Sequence, residues 1–176
     1  MKRLILFSLL FTITITLYAQ SKVLESRSMK SMLLKTEVNY SIYLPDGYEH
    51  SERYYPVVYL LNGYTGNQTD WIEAGSMQRI VDHEIKEGNI QKMVIVMPDG
   101  DDRLYMNRSD GTYAYEDMFM TELMPYIESQ YRIRKGKRYT GISGLSMGGA
   151  GALKLALKYD KIFGACAAFS SAVFTE

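Results

Sequence analysis

The pattern G-L-S-M-G at residues 144–148 constrains the fold of this chain more than any other stretch. Residues 139–143, before it, have the composition of a short strand, and residues 149–158, after it, that of a helix with a small-residue face. G-x-S-x-G therefore lies on a strand-to-helix turn, which is the context that a nucleophile elbow requires. A serine in such a turn has a strained backbone, and the glycines Gly144 and Gly148 remove the Cβ atoms that would collide with the neighbouring strand and helix.

Ser146 is the candidate nucleophile of this turn. It stands at the N-terminus of the predicted helix, where free N–H groups and the helix dipole favour a developing negative charge. The turn thus predicts a nucleophile and an oxyanion-stabilising group together. On the five residues alone, a glycine-rich connection without chemistry stays open as the alternative. No nucleotide-binding or phosphate-loop pattern can be written through them.

Length, charge and the N-terminus limit the class of protein. The chain has 176 residues, with 20 basic and 20 acidic side chains, which predicts a single domain and no nucleic-acid partner. Lys2 and Arg3 precede an apolar run at residues 4–17, so residues 1–20 are predicted to be a signal peptide and residues 21–176 the domain. The run is shorter than the roughly 20 residues of a membrane span, so we expect a secreted or periplasmic protein without a stable membrane anchor.

Strand and helix patterns predict an α/β fold. Two polar-apolar alternating segments, residues 22–32 and 35–44, indicate an antiparallel N-terminal hairpin. The later strands are continuous apolar runs separated by helices, which indicates a mostly parallel sheet covered on both faces. These strands are predicted at residues 57–61, 93–97, 139–143 and 163–169, and the helices at residues 77–87, at 114–131 with a kink at Pro125, and after Ser146. Because ligands bind beyond the carboxyl ends of parallel strands, loops 62–66 and 98–102 should converge with the Ser146 turn.

Four stretches, taken in order, resemble the esterase family of the α/β-hydrolase superfamily. They are residues 59–67 with Asp70-Trp71, residues 96–100, residues 141–153 and residues 163–171. The family includes esterase D, S-formylglutathione hydrolases, feruloyl and acetylxylan esterases, and mycolyltransferases. The resemblance spans residues 35–173, and its ordered set of motifs is more specific than G-x-S-x-G alone. It implies the three-layer α/β-hydrolase sandwich and a serine esterase.

The resemblance also implies roles for individual residues. Ser146 would be the nucleophile, the backbone N–H groups of Met147 and Tyr64 the oxyanion donors, and Gly144 and Gly148 the elbow glycines. Where most relatives have His-Gly, this chain has Asn62-Gly63; a backbone donor should tolerate that difference.

No cofactor and no metal is expected. The acidic stretch Asp99 to Asp102 allows a calcium loop as an alternative, but the closing glutamate of such a loop is missing at the required spacing, so a polar loop lining the cleft is favoured. Cys166 is the single cysteine, and its apolar surroundings predict a buried core thiol. Four aromatic residues could form walls for a sugar or phenolic group, but with 15 tyrosines in the chain core packing is the default interpretation. They are Tyr64, Trp71, Tyr105 and Tyr113.

The other two members of a catalytic triad have no counterpart after Ser146. In this fold the order is serine, acid, histidine, whereas His50 and His83 both precede Ser146 and are expected to be solvated surface residues. Glu176 is the one acidic residue after the last predicted strand. We therefore expect the first two-thirds of an esterase, lacking the last strands. Its apolar edge at residues 163–169 would favour self-association.

The sequence favours an exported serine ester hydrolase that acts through an acyl-enzyme on a small-molecule or polysaccharide-linked ester. An acyltransferase of the same fold is an alternative, because only the acceptor of the second half-reaction differs. A non-catalytic, truncated remnant or a carbohydrate-binding protein is the alternative from another functional class. Whether Ser146 can be acylated discriminates between the enzyme and the binding protein.

Overall fold

The computed structural model describes residues 20–172. Residues 1–19 of the predicted signal peptide, and Glu176, lie outside the described residues. Within the described range, no helix has both the length and the apolar character needed to cross a membrane.

The strands of residues 20–172 form one mixed sheet. They are β1 (Lys22–Lys30), β2 (Glu37–Leu44), β3 (Val57–Leu61), β4 (Val94–Pro98), β5 (Thr140–Leu145) and β6 (Ala165–Phe169). Their order in the sheet is β1-β2-β4-β3-β5-β6. β1 and β2 are antiparallel, and β2 is antiparallel to β4, whereas β4, β3, β5 and β6 run parallel to one another. The predicted N-terminal hairpin and mostly parallel sheet are both confirmed.

Helices connect the parallel strands. They are α1 (Asp70–Glu73), α2 (Met77–Lys86), α3 (Tyr115–Met118), α4 (Met124–Gln130) and α5 (Met147–Lys158). Short 3-10 turns lie at Tyr48–His50 and Lys137–Tyr139. A π-helical turn, Phe119–Leu123, joins α3 to α4. Pro125 follows this turn and has no N–H to donate, which agrees with an irregular helical turn at this position; the kink at Pro125 stays a prediction.

Alternate residues of the central strands bury opposite faces of the sheet. Tyr59 of β3 packs on one face, with ring centroids 5.3 Å from Phe119, in a cluster that also contains Met147 and Leu155 of α5. Leu60 packs on the other face in a second cluster, with residues of α2 such as Val81. Helices on both faces of one sheet make the three-layer α/β sandwich that the sequence predicts.

The prediction that Cys166 is a buried thiol is wrong. Cys166 is exposed, as are most residues of β6, which is the edge strand of the described sheet. Phe169, at the end of the same strand, is 53% exposed. The predicted apolar edge is therefore present in the described structure, and it carries the cysteine on its surface.

Candidate active site

Ser146 lies between the end of β5 and the start of α5, as the sequence predicts. Its backbone angles are φ 53° and ψ −112°, a conformation that costs a residue with a side chain on the order of 1–3 kcal/mol. Backbone hydrogen bonds hold it there: its N–H donates to the Phe169 carbonyl at 2.8 Å, and its own carbonyl accepts from Ala150 at 3.0 Å and Ala172 at 3.3 Å. The turn is thus fixed by α5 and by the segment around β6.

The two elbow glycines allow the turn to close. A Cβ atom added at Gly148 would lie 2.4 Å from the carbonyl oxygen of Leu61 in β3. A Cβ atom added at Gly144 would lie 2.4 Å from the backbone of Gly148. Both distances are far shorter than a van der Waals contact, so neither position has room for a side chain. The first turn of α5 therefore packs directly against the end of β3.

Met147 is the first residue of α5, and its side chain is buried. The N–H groups of the first helical turn have no acceptor within the helix, and the positive end of the helix dipole lies there. An oxyanion formed at Ser146 would therefore find the Met147 N–H in its immediate surroundings. This position agrees with the donor role that the resemblance implies.

The loop after β3 lies beside Ser146. A Cβ atom added at Gly63 would lie 4.0 Å from the Ser146 Cβ and 3.7 Å from the Leu145 carbonyl oxygen. Two hydrogen bonds stabilise the loop. The Gly66 N–H donates to the Gly63 carbonyl at 3.2 Å, and the Thr65 N–H donates to the Asp102 carboxylate. The backbone of Tyr64 is thus placed at the end of the sheet that carries Ser146, while its side chain is 65% exposed.

The buried side-chain amide of Asn62 forms hydrogen bonds to this loop and to the loop after β4. Asn62 is 1% exposed, and its Oδ1 accepts from the Gly100 N–H at 3.1 Å and from the Tyr105 hydroxyl at 2.6 Å. Its Nδ2 donates to the Gly63 carbonyl at 2.9 Å. Sequence reasoning treated Asn62 only as a departure from a motif and missed these contacts. The available signal was a polar side chain at the end of a buried strand.

The acidic loop after β4 joins the same site. Asp102 Oδ1 accepts from the Thr65 N–H at 2.5 Å, and Asp101 Oδ2 accepts from the Tyr113 hydroxyl at 2.8 Å. Burial raises the pKa of the Asp99 carboxyl, although a hydrogen bond from the Asp101 N–H acts in the opposite direction. In residues 20–172, no group of three or more histidine, cysteine or acidic side chains is arranged to hold a metal ion. The three loops converge, as the sequence predicts.

The aromatic residues considered as cleft walls differ in their burial, and Tyr105 follows the default interpretation of core packing. Tyr105 is fully buried, and a Cβ atom at Gly151 of α5 would lie 2.8 Å from its ring, so Tyr105 is a core residue and not a wall of the cleft. Tyr113 is half-buried, with the Arg103 guanidinium 4.3 Å from its ring centroid. Trp71 is also half-buried and donates from Nε1 to the Leu61 carbonyl at 3.2 Å.

Both histidines are exposed, as predicted. His50 lies in a 3-10 turn beside the paired ends of β1 and β2, where Lys22 faces Leu44. Because β2 is antiparallel to β4, this is the amino end of the parallel strands, opposite the Ser146 turn. His83 lies on the exposed surface of α2. Neither histidine belongs to the three loops that form the candidate site.

Comparison with known proteins gives concordant matches. A family model described as "Putative esterase" matches residues 31–175. The chain is 34% identical to an acetyl esterase of Caldicellulosiruptor saccharolyticus over 116 residues, which are 66% of this chain and 41% of that protein. It is 30% identical over 131 residues to an endo-1,4-beta-xylanase/feruloyl esterase of Xylanibacter ruminicola, covering 70% of this chain and 18% of that protein.

A solved structure of a ferulic acid esterase is similar to the described fold, with a TM-score of 0.82 at 33% identity. The match covers 86% of this chain and 60% of that one. The chain thus spans less than half of these two curated relatives and about three-fifths of the solved structure.

Proposed function

This chain belongs to the esterase family of the α/β-hydrolases, and we propose from this that it is a serine carboxylic ester hydrolase with Ser146 as its nucleophile. The observation that carries the proposal is the backbone of Ser146. Ser146 has a φ of 53° and lies on the turn between β5 and α5, beside the loop that contains Gly63. Strained backbone of this kind is concentrated at functional sites.

In the proposed reaction, the Ser146 hydroxyl oxygen attacks the carbonyl carbon of the ester. The carbonyl electron pair moves onto oxygen, and the N–H groups of Met147 and Tyr64 donate to the resulting oxyanion. Each preorganised donor of this type contributes about 3 kcal/mol to the transition state. Collapse of the intermediate breaks the C–O bond of the ester, and the leaving oxygen takes up a proton and departs as the alcohol. Water then hydrolyses the remaining acyl-enzyme to the acid and free Ser146.

Attack also requires a base for the Ser146 proton. His50 and His83 lie outside the three loops, so neither is proposed as this base. We expect the turnover of an ester by this protein to depend on Ser146.

We propose acyl groups carried by polysaccharides as the substrate class, and export as the route to them. Support comes from the relatives, one named as an endo-1,4-beta-xylanase/feruloyl esterase and another as an acetyl esterase. The charged and apolar pattern of residues 1–20 supports export. Feruloylated and acetylated xylan, compared with p-nitrophenyl acetate, would test the substrate class.

We also propose that this chain self-associates through β6. An exposed strand edge with apolar side chains pairs readily with a second copy. Phe169 is 53% exposed and Leu157 of the neighbouring α5 is 79% exposed. Because Cys166 is the single cysteine, mild oxidation should give a disulfide-linked dimer that Cys166→Ser abolishes. A chain that sediments as a monomer at all concentrations would contradict this.

The hydrolase proposal is tested with p-nitrophenyl acetate and a matched pair of serine variants. Ser146→Ala should reduce turnover by at least 100-fold. Ser143→Ala is the control, because Ser143 is a buried serine of β5, the strand before Ser146, and its hydroxyl has no hydrogen-bond partner among the described residues. Equal turnover by wild type and Ser146→Ala would contradict the proposal.

A further inference from the structure

We propose that Asn62 is a positioning residue, whose side chain fixes the direction of the Gly63–Tyr64 peptide and so aims the Tyr64 N–H at the oxyanion. This inference rests on the proposed function, since it assigns a support to one of the two oxyanion donors. It concerns the side chain that replaces the more usual histidine in the loop after β3.

The first step of the argument is the geometry of one peptide group. In a trans peptide, the C=O and N–H point to opposite sides, and residues 20–172 contain no cis peptide bond. The Gly63 carbonyl is held on one side by Asn62 Nδ2 at 2.9 Å and by the Gly66 N–H at 3.2 Å. The Tyr64 N–H, at the other end of this peptide, must therefore point away from Asn62.

The second step concerns the orientation of the Asn62 amide. Two donors, the Gly100 N–H and the Tyr105 hydroxyl, converge on Oδ1. A flipped amide would place its own NH₂ against the Gly100 N–H and leave that buried donor unpaired, at a cost of about 1–3 kcal/mol. It would also turn Oδ1 toward the Gly63 carbonyl, so that two acceptors face each other, although the Tyr105 hydroxyl could still donate to the Asn62 carbonyl at 3.3 Å. Asn62 is 1% exposed, so bulk water does not compete for these bonds. Only one orientation is satisfied, and it directs Nδ2 to Gly63.

The third step connects this support to the nucleophile. Tyr105 packs its ring against Gly151 of α5, the helix that begins at Met147 and carries the other donor. Its burial raises the pKa of the Tyr105 hydroxyl well above 10, so the hydroxyl stays protonated and can donate throughout the range in which esterases are assayed. The Tyr64 and Met147 donors thus share one buried support, formed by Asn62 and Tyr105.

The decisive variant is Asn62→Asp, which keeps the size of the side chain but replaces the Nδ2 donor with an oxygen. Once the new carboxyl is ionised, the Gly63 carbonyl faces another acceptor and the peptide loses its fixed direction; a protonated carboxyl would still donate, so kcat is compared from about pH 6 to 9. We expect kcat for p-nitrophenyl acetate to fall about 10- to 100-fold, with KM changed less than about 2-fold, because only the transition state carries the oxyanion. A folded Asn62→Asp variant with wild-type kcat would overturn the proposal.

Tyr105→Phe keeps the ring and removes one donor to Oδ1, so it should lower kcat by a smaller factor, about 3- to 10-fold. It also serves where Asn62→Asp does not fold. Tyr43→Phe is the matched control: Tyr43 is fully buried and its hydroxyl donates to Asp82 at 2.6 Å, but it lies outside the three loops. Tyr43→Phe should lose similar stability and keep kcat. Equal losses of kcat in Tyr105→Phe and Tyr43→Phe would overturn the proposal.

A second readout separates this inference from the proposed function. In Ser146→Cys, iodoacetamide alkylates the thiol without forming an oxyanion, so adding Asn62→Asp should leave that rate unchanged while slowing thiol acylation by the ester. If the wild type shows no Ser146-dependent turnover, the proposed function fails by itself. The Tyr64 amide resonance then decides on Asn62: Asn62→Asp should shift it and Tyr43→Phe should not, and an unshifted resonance overturns the inference.

Discussion

At the level of single residues, the conformation of Ser146 is the feature that most needs an explanation. A φ of 53° with ψ −112° is unfavourable for serine, so neighbouring groups must hold it. The Phe169 carbonyl accepts from its N–H, and Ala150 and Ala172 donate to its carbonyl. These partners stabilise a conformation that directs the side chain out of both β5 and α5.

This strain predicts opposite effects on stability and activity. Ser146→Gly should increase the free energy of unfolding by about 1 kcal/mol relative to Ser146→Ala, because glycine adopts positive φ without strain. The gain is less than the full strain, since glycine also raises the entropy of the unfolded chain. Both variants should lack hydrolysis. Urea denaturation compares them, and a Ser146→Gly variant less stable than Ser146→Ala would show that the turn is not strained.

At the level of elements, the position of α5 depends on two kinds of contact. Its first turn touches β3 through Gly148, and its last turns are tied to α3 by Glu116. The Glu116 side chain is 2% exposed and accepts from Lys158 and from the Tyr159 hydroxyl, with Lys154 at 3.3 Å. Sequence patterns could not reveal this pairing, because it joins residues about 40 positions apart.

The contact between Gly148 and β3 predicts a severe effect of a single methyl group. Gly148→Ala should destabilise the protein by at least about 3 kcal/mol or prevent folding, because its Cβ would lie 2.4 Å from the Leu61 carbonyl. Gly141→Ala in β5 is the control, since the nearest atom to its Cβ would be 3.5 Å away. Thermal unfolding measures both. Similar melting temperatures for the two variants would contradict the close packing of α5 on β3.

The Glu116 contacts predict a pH dependence. Burial alone would raise the pKa of Glu116, but hydrogen bonds from Lys158 and Tyr159 and the charge of Lys154 outweigh it and lower the pKa below 4.5. A carboxyl whose pKa is lower in the folded state stabilises above its unfolded pKa and loses this as pH falls through the folded pKa. Between pH about 5 and 3, the melting temperature should therefore fall more steeply for wild type than for Glu116→Gln.

Glu128→Gln is the control for this titration. Glu128 pairs with Lys135 at 3.5 Å on the surface, where ion pairs contribute little. Its variant should follow the wild-type profile. Parallel pH profiles for wild type and Glu116→Gln would contradict the role of Glu116.

At the level of the whole molecule, sequence patterns predict what depends on periodicity and turn chemistry. Alternating segments gave the N-terminal hairpin, and continuous apolar strands gave the parallel sheet, because each pattern follows from which faces are buried. The default interpretation of core packing was right for Tyr105, but the positive φ of Leu104 and Tyr105 was not predictable, since neither residue type favours that conformation. The exposure of Cys166 was not predictable either, because an apolar run does not show which element covers it.

The central claim is that Ser146 is a nucleophile, and covalent labelling tests it most directly. The chain is incubated with a fluorophosphonate, and the modified residue is located by peptide mass spectrometry. We predict modification at Ser146, absent in Ser146→Ala and retained in Ser143→Ala. Modification at another residue, or none in a folded protein under conditions that label an intact serine esterase, would contradict the claim.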